Sequence, residues 1–194
     1  MKTRKMMSTL ALVLTLTLPV MGLAEAAVAP APEPYGAAAL AEGKTYTAEE
    51  MLTYAIQDEY LAQGEYKAII AVYGNNKPFS SIVKSEATHI ARLVTLFTAY
   101  NIPVPEDKSA LYTVVPASLQ VAYETGVTAE VHNIAMYENF LNQENLPEDL
   151  KLVFEALKKA SENHLEAFRN NADKNGNGQG NSGSNNRNGW GKGN

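Results

Sequence analysis

Four stretches of this chain place apolar residues at helical spacing, and each stripe is broken by a side chain that water ordinarily keeps. The first spans residues 47–73, and Glu59 stands in the row formed by Leu52, Ile56, Ala62, Tyr66 and Ile69. The second, 78–100, carries Glu86 and His89 in line with Ile82, Val83, Leu93 and Phe97. The third, 117–141, carries Glu130 and is expected to bend at Gly126. The fourth, 147–168, carries Ser161 and His164 in line with Leu150, Phe154 and Leu157. Spacing of three and four over such lengths predicts amphipathic helices, and sustained period-two alternation is absent. Two starts carry their own signals. Thr47 and Glu50 form the ends of a capping box, and Pro78 suits a first helical turn.

The connections add topology. "GNNK" between the first two segments is short, as is "NQEN" between the last two, whereas "NIPVPEDKSALYTVVP" in the middle is long and proline-rich. Short loops join antiparallel neighbours, and a long one can cross a bundle. The expected fold is therefore all-α: an antiparallel four-helix bundle with one long crossover between helices 2 and 3.

The polar intruders then need an explanation. Residues three apart share a helix face, so Glu86 and His89 point together, as do Ser161 and His164. The first half reads Glu, then E-x-x-H; the second reads Glu, then S-x-x-H. An ionised carboxylate buried without a partner costs many kcal/mol. The stripes offer no Arg or Lys to pair with three Glu and two His. A bound cation resolves the conflict, because carboxylate oxygens and imidazole nitrogens are ordinary ligands for iron, manganese or zinc. The chain has no Cys. Thiolate zinc sites, iron–sulfur clusters and disulfides are thereby excluded, and copper(I) is disfavoured. The competing reading is a metal-free network joining acids, histidines, Ser161 and tyrosine hydroxyls.

The pattern resembles the ferritin-like superfamily, the bundles of ferritin and rubrerythrin, over roughly residues 47–170. Their carboxylate-bridged sites take a Glu from each of two helices and E-x-x-H from each of the other two. "IQDEYLAQGEY", "SEATHIARL" and "ASENHLEAF" further resemble a secreted family of ferritin-like domains of unknown function. The resemblance implies Glu59, Glu86, His89, Glu130 and His164 as metal ligands. It implies iron, two ions expected and one as the reduced case, with manganese or zinc as alternatives. Ser161 stands where a fourth carboxylate is usual, and Asn133 where rubrerythrin-like proteins carry another acid. Three Glu supply about −3 against about +4 for two divalent ions, which an oxo or hydroxo bridge or single occupancy would balance. Tyr66 and Tyr137 each follow a candidate Glu by seven residues. They are read either as donors to those ligands or as core aromatics with a satisfied hydroxyl. His132 falls off its stripe and is expected at the surface or boundary. Asp58, Glu65, Glu138 and Glu162 also fall off the stripes and are expected to be solvated, with Glu162 the alternative source of the fourth carboxylate if the last helix is rotated.

The flanks read differently. "MKTRK", the apolar run that follows and "AEA" have the form of a signal peptide over residues 1–26, cut near Ala26 or Ala27. The chain is accordingly expected outside the cytoplasm, periplasmic, cell-surface or secreted, with no stable membrane span after cleavage. Residues 27–46 read as a Pro/Ala-rich linker, 47–172 as the bundle, and 173–194 as a disordered Gly/Asn-rich tail. "DKNGNG" resembles the opening of an EF-hand loop, but Ser184 occupies the position of its closing Glu, and the linker reading is preferred. A formal net charge of −5 with no basic block argues against nucleic acid as a partner.

The expected function is a secreted di-metal protein that oxidises Fe(II) or reduces peroxide or oxygen. The alternatives are a metal-binding or metal-stabilised bundle without turnover, and a metal-free scaffold or interaction protein. A rubredoxin-like electron donor is missing from the sequence.

Overall fold

A computed structural model of the chain describes residues 33–178, with side chains through residue 174. They belong to the unit Pro32–Asn194; the other unit, Met1–Ala31, lies outside the description, and with it the leader expected at residues 1–26. The described residues are all-helical and contain no strand. Four long helices dominate: α1 (Ala48–Tyr73), α2 (Phe79–Ala99), α3 (Leu119–Leu141) and α4 (Glu148–Gly178), with 3-10 turns at Gly36–Ala39 and Ser109–Leu111. The first three match the apolar stripes to within two residues at each end.

Local chemistry explains where the helices begin. Thr47 accepts from the Glu50 N–H while the Glu50 side chain accepts from the Thr47 N–H, closing the capping box. Ser118 caps α3 by accepting from the Val121 N–H at 3.1 Å. Helix α3 passes through Gly126 without a break. That glycine serves close packing instead, since a Cβ there would lie 2.7 Å from the Phe168 ring of α4. Helix α4 overruns its expected end and carries residues 173–178 as helical backbone. The rest of the tail lies outside the described residues.

Helix α1 packs chiefly on α2, and α3 on α4; α1 also meets α3, and α2 meets α4. Two apolar clusters form the core. One gathers Leu52, Ile56, Leu93, Phe97, Tyr137, Phe140, Phe154 and Leu157. The other gathers Tyr66, Ile69, Phe79, Ile82, Tyr123 and Phe168. Each fully buried Phe or Leu contributes about 1.5–3 kcal/mol relative to exposure, so these clusters anchor what lies between them. Helices α1 and α4 meet the first cluster and then the second, whereas α2 and α3 meet them in the reverse order. On every helix the polar intruders fall between the two.

Residues 33–40, expected as an extended linker, are packed against the bundle. Tyr35 stacks on Tyr112 with ring centroids 4.6 Å apart, and its hydroxyl accepts from the Lys108 N–H at 3.2 Å. Gly36 donates to Gln57 Oε1 at 3.2 Å, and Ala37 donates to Asp58 Oδ1 at 2.8 Å. Gly36 sits at φ +62 directly against Asp58, where a Cβ would come within 2.5 Å of Oδ1. Glycine alone meets both demands without strain.

Candidate metal centre

The stripe positions bring Glu59 (α1), Glu86 and His89 (α2), Glu130 (α3) and His164 (α4) together, all of them buried. Glu86 lies at the middle. Its Oε2 is 2.8 Å from His89 Nδ1, and its Oε1 is 3.2 Å from His164 Nδ1. His89 Nδ1 also lies 3.0 Å from Glu59 Oε2, and His164 Nδ1 lies 3.5 Å from Glu130 Oε1. The cluster thus resolves into two groups that share one carboxylate: Glu59, Glu86 and His89, and Glu86, Glu130 and His164. Within each, one ligand atom per residue lies within 4.8 Å of the others.

Neighbouring groups orient these side chains. Tyr137 donates to Glu59 Oε1 at 2.6 Å, and Tyr66 donates to Glu130 Oε1 at 2.9 Å. Both phenols are buried core aromatics whose hydroxyls end on candidate ligands, so the two readings of these tyrosines meet in one geometry. Ser85 Oγ lies 3.0 Å from His89 Nε2. Sequence reasoning missed Ser85, although its place one helical turn before His89 was available as a signal.

The electrostatics follow from burial and from the partners. Burial pushes the Glu59 carboxyl up, the Glu86 charge pushes it further, and it titrates at about 7. Burial also raises Glu130. Burial opposes the charge on Glu86 too, but His164 and His89 outweigh it and hold that carboxyl below its ordinary value. Burial disfavours charged imidazoles, yet two flanking carboxylates each raise His89 to about 10 and His164 to about 9. Without a metal, then, two imidazolium rings neutralise much of the charge of three carboxyls.

One atom resists that solution. His164 Nδ1 is buried and faces two carboxylates without an aligned hydrogen bond to either. Once deprotonated, that nitrogen would turn its lone pair toward the same carboxylate oxygens, the arrangement that a divalent cation requires. The donor set of three carboxylates and two imidazoles suits iron, manganese or zinc, so the residues present fit a metal pair.

Ser161 brings no charge to this cluster. It donates to Asn133 Oδ1 at 2.5 Å and to the Leu157 carbonyl at 3.1 Å. Asn133 in turn donates to Asp58 Oδ2 at 2.7 Å. Where the fourth carboxylate was expected, a chain of neutral side chains leads away to Asp58 and the 33–40 arm. Two off-stripe acids need correction. Asp58 and Glu65 were expected to be solvated, but both are partly buried, and burial raises Asp58 to about 6 and Glu65 to about 7. The arm covers Asp58, and apolar periodicity carries no trace of that cover. Glu138 and His132 are exposed as expected. Glu162 pairs with Lys159 at 2.9 Å on the surface rather than filling the place of the missing carboxylate.

A cavity of about 220 Å³ opens beside the centre between α1 and α3, reaching Glu59, Glu86, Glu130 and Ser161. A second opening reaches His164 from the side of Lys77, Ser81 and Ile82. None of the described helices is long and apolar enough to cross a membrane.

Comparison with known proteins places these features in a family. Residues 48–182 match the family described as "Uncharacterized protein domain (DUF2202)". The chain is 30% identical over 129 residues to the uncharacterized protein MJ0754 of Methanocaldococcus jannaschii, covering 58% of this chain and 68% of that protein. The fold is also similar to the crystal structure of hypothetical protein MJ0754 from Methanococcus jannaschii DSM 2661. The TM-score is 0.60 at 28% identity, covering 71% of this chain and 86% of that one. The matched family region spans all four helices and every residue of the cluster, and the chain belongs to the DUF2202 family.

Proposed function

We propose that this chain is a ferritin-like, antiparallel four-helix bundle with one long crossover, holding a non-haem pair of divalent ions, iron first, at its centre. The order in which the helices meet the two apolar clusters supports the antiparallel arrangement. It also makes the connection between α2 and α3 run from one cluster to the other. The observation that carries the metal reading is the sharing of Glu86 between two Glu–Glu–His groups.

In this reading Glu59, Glu86 and His89 would hold one ion, and Glu86, Glu130 and His164 would hold the other. Bound iron would supply one-electron chemistry toward oxygen or peroxide, with Fe(II) oxidation as the expected outcome. The protein's own residues prepare for it. Tyr137 and Tyr66 fix the carboxylate rotamers of Glu59 and Glu130, and Ser85 fixes the ring of His89. The apolar clusters on either side keep bulk water from the ligands. Ser161 leaves a neutral, uncrowded position at the cavity wall, where a small oxidant fits.

The test is anaerobic Fe(II) loading of metal-free protein followed by oxygen or peroxide. Two Fe(II) per chain and an absorbance change faster than the buffer control support the redox reading. Uptake without oxidant consumption selects the second reading, a metal-stabilised bundle without turnover. Charge neutralisation by the two imidazoliums favours a third reading, a metal-free bundle, because it lets the fold stand without any ion; that reading predicts no Fe(II) uptake. We further propose an extracytoplasmic location, which rests on the form of residues 1–26.

A further inference from the structure

We propose that the cavity between α1 and α3 is the route by which divalent cations reach the centre, with Glu65 as the carboxylate that receives them. The inference rests on the metal-centre reading and concerns how the ions arrive.

The floor of the cavity is made by the three carboxylates of the cluster, and neither candidate-ligand histidine lines it. An arriving ion therefore meets oxygen donors first and reaches the imidazoles behind them. Asp58 and Glu65 stand on the wall, and neither Lys nor Arg lines the space. A cleft lined by one sign of charge with low-dielectric walls focuses the field and raises the local concentration of counter-ions. At about 220 Å³ the cavity has room for an ion that still carries water. Ala62 and Ala129 keep its walls narrow-sided, and the hydroxyl oxygens of Thr125 and Thr128 retain lone pairs for a hydrated ion.

The two wall acids differ in availability. Asp58 is committed, accepting from the Ala37 N–H and from Asn133 Nδ2. Glu65 makes no hydrogen bond or ion pair among the described residues, although it is partly buried. A carboxylate held in a cleft without a donor is placed to exchange ligands with a passing cation. The opposite opening has the reverse character, since Lys77 stands beside the path to His164. A cation approaching there meets a like charge, so the two mouths discriminate by sign.

The experiment mixes metal-free full-length protein with Co(II) at pH 8, where the wall acids are ionised, in a stopped-flow cell and follows binding by absorbance. Replacing Glu65→Gln is expected to slow second-order uptake by about 3- to 10-fold at low ionic strength, with stoichiometry unchanged. The difference should fade at salt concentrations where the Debye length falls to about 3–5 Å. Thr128→Trp, which fills the mouth from an exposed position, should slow uptake at every salt concentration. Lys77→Gln should leave the rate within twofold of wild type. Wild-type rates in both the Glu65 and Thr128 variants would overturn the route while leaving the centre intact. So would a larger effect of Lys77→Gln than of Glu65→Gln. A wild-type protein that takes up no Co(II) would overturn the metal centre itself, and the route with it.

Discussion

The rings of His89 and His164 lie stacked, 5.7 Å apart between centroids and 22° from parallel, although they belong to different helices. Both present Nδ1 to the carboxylates, and in the metal-free protein both are protonated at neutral pH because those carboxylates raise them to about 10 and about 9. Metal ligation requires the neutral ring, so binding must displace those protons. About two to three protons are expected to leave per chain on loading at pH 7, one from each histidine and a fraction from Glu59. Affinity for each ion should then rise about tenfold per pH unit, levelling off near pH 10 for the ion beside His89 and near pH 9 for the ion beside His164. Titration calorimetry in two buffers of different ionisation heat measures the proton count. A count of zero would contradict the ligand assignment of both histidines.

Among the described residues, Glu86 is the only carboxylate paired with both rings. Glu86→Gln leaves two buried imidazoliums short of their common anion. Removing one partner of a buried pair costs about 3–5 kcal/mol, and urea unfolding of the metal-free protein should register a loss of that order. Metal stoichiometry should fall below two in the same variant. Glu162→Gln, which disturbs a surface pair, should leave both measurements indistinguishable from wild type.

Gly36→Ala places a Cβ 2.5 Å from Asp58 Oδ1 at a φ of +62. The arm must lift or strain, at a cost of about 1–3 kcal/mol. Hydrogen exchange at Ala37, whose N–H is bonded to Asp58, should speed up well before that of the α1 core. Unchanged protection at Ala37 would show that the arm tolerates the methyl group.

Glu65 gives a pH dependence of definite sign. Its folded pKa of about 7 lies above the ordinary 4.5, mainly through burial. The folded metal-free protein therefore holds this proton more tightly than the unfolded chain, and stability falls as pH rises from about 4.5 to about 7. Glu65→Gln should match wild type near pH 4 and exceed it by about 1–2 kcal/mol at pH 8, after discounting for partial exposure. Denaturation midpoints at the two pH values measure the difference.

Most of the fold was legible because helical periodicity is a local property. Leu93, Phe97 and Phe154 announce a buried face whatever packs on it. The five candidate ligands were legible for the opposite reason: an acid or imidazole on such a face violates the pattern, and the violation marks the spot. The surroundings of Asp58 were hidden. Its cover comes from residues 33–40, whose Pro and Ala read as a linker, and a packed arm and a free one have the same composition. The overrun of α4 was hidden in the same way, because Asn and Gly in residues 175–178 have low helix propensity, yet the backbone there continues the helix. Gly126 showed a related limit: a glycine within a helical pattern signals a bend and a close contact equally well, and only Phe168 decides between them.

The tyrosines cross between the halves of the chain: Tyr66 serves Glu130, while Tyr137 serves Glu59. Neither helix pair alone supplies the phenol that donates to its own buried acid. A lone α1–α2 unit would find the missing phenol only in a second copy of itself turned about a twofold axis. Written into one chain, the exchange has the form of a homodimer whose two partners are covalently linked and need not be identical. Ser161 stands at the position of the second half that Glu86 fills in the first, a difference that two identical subunits could not carry.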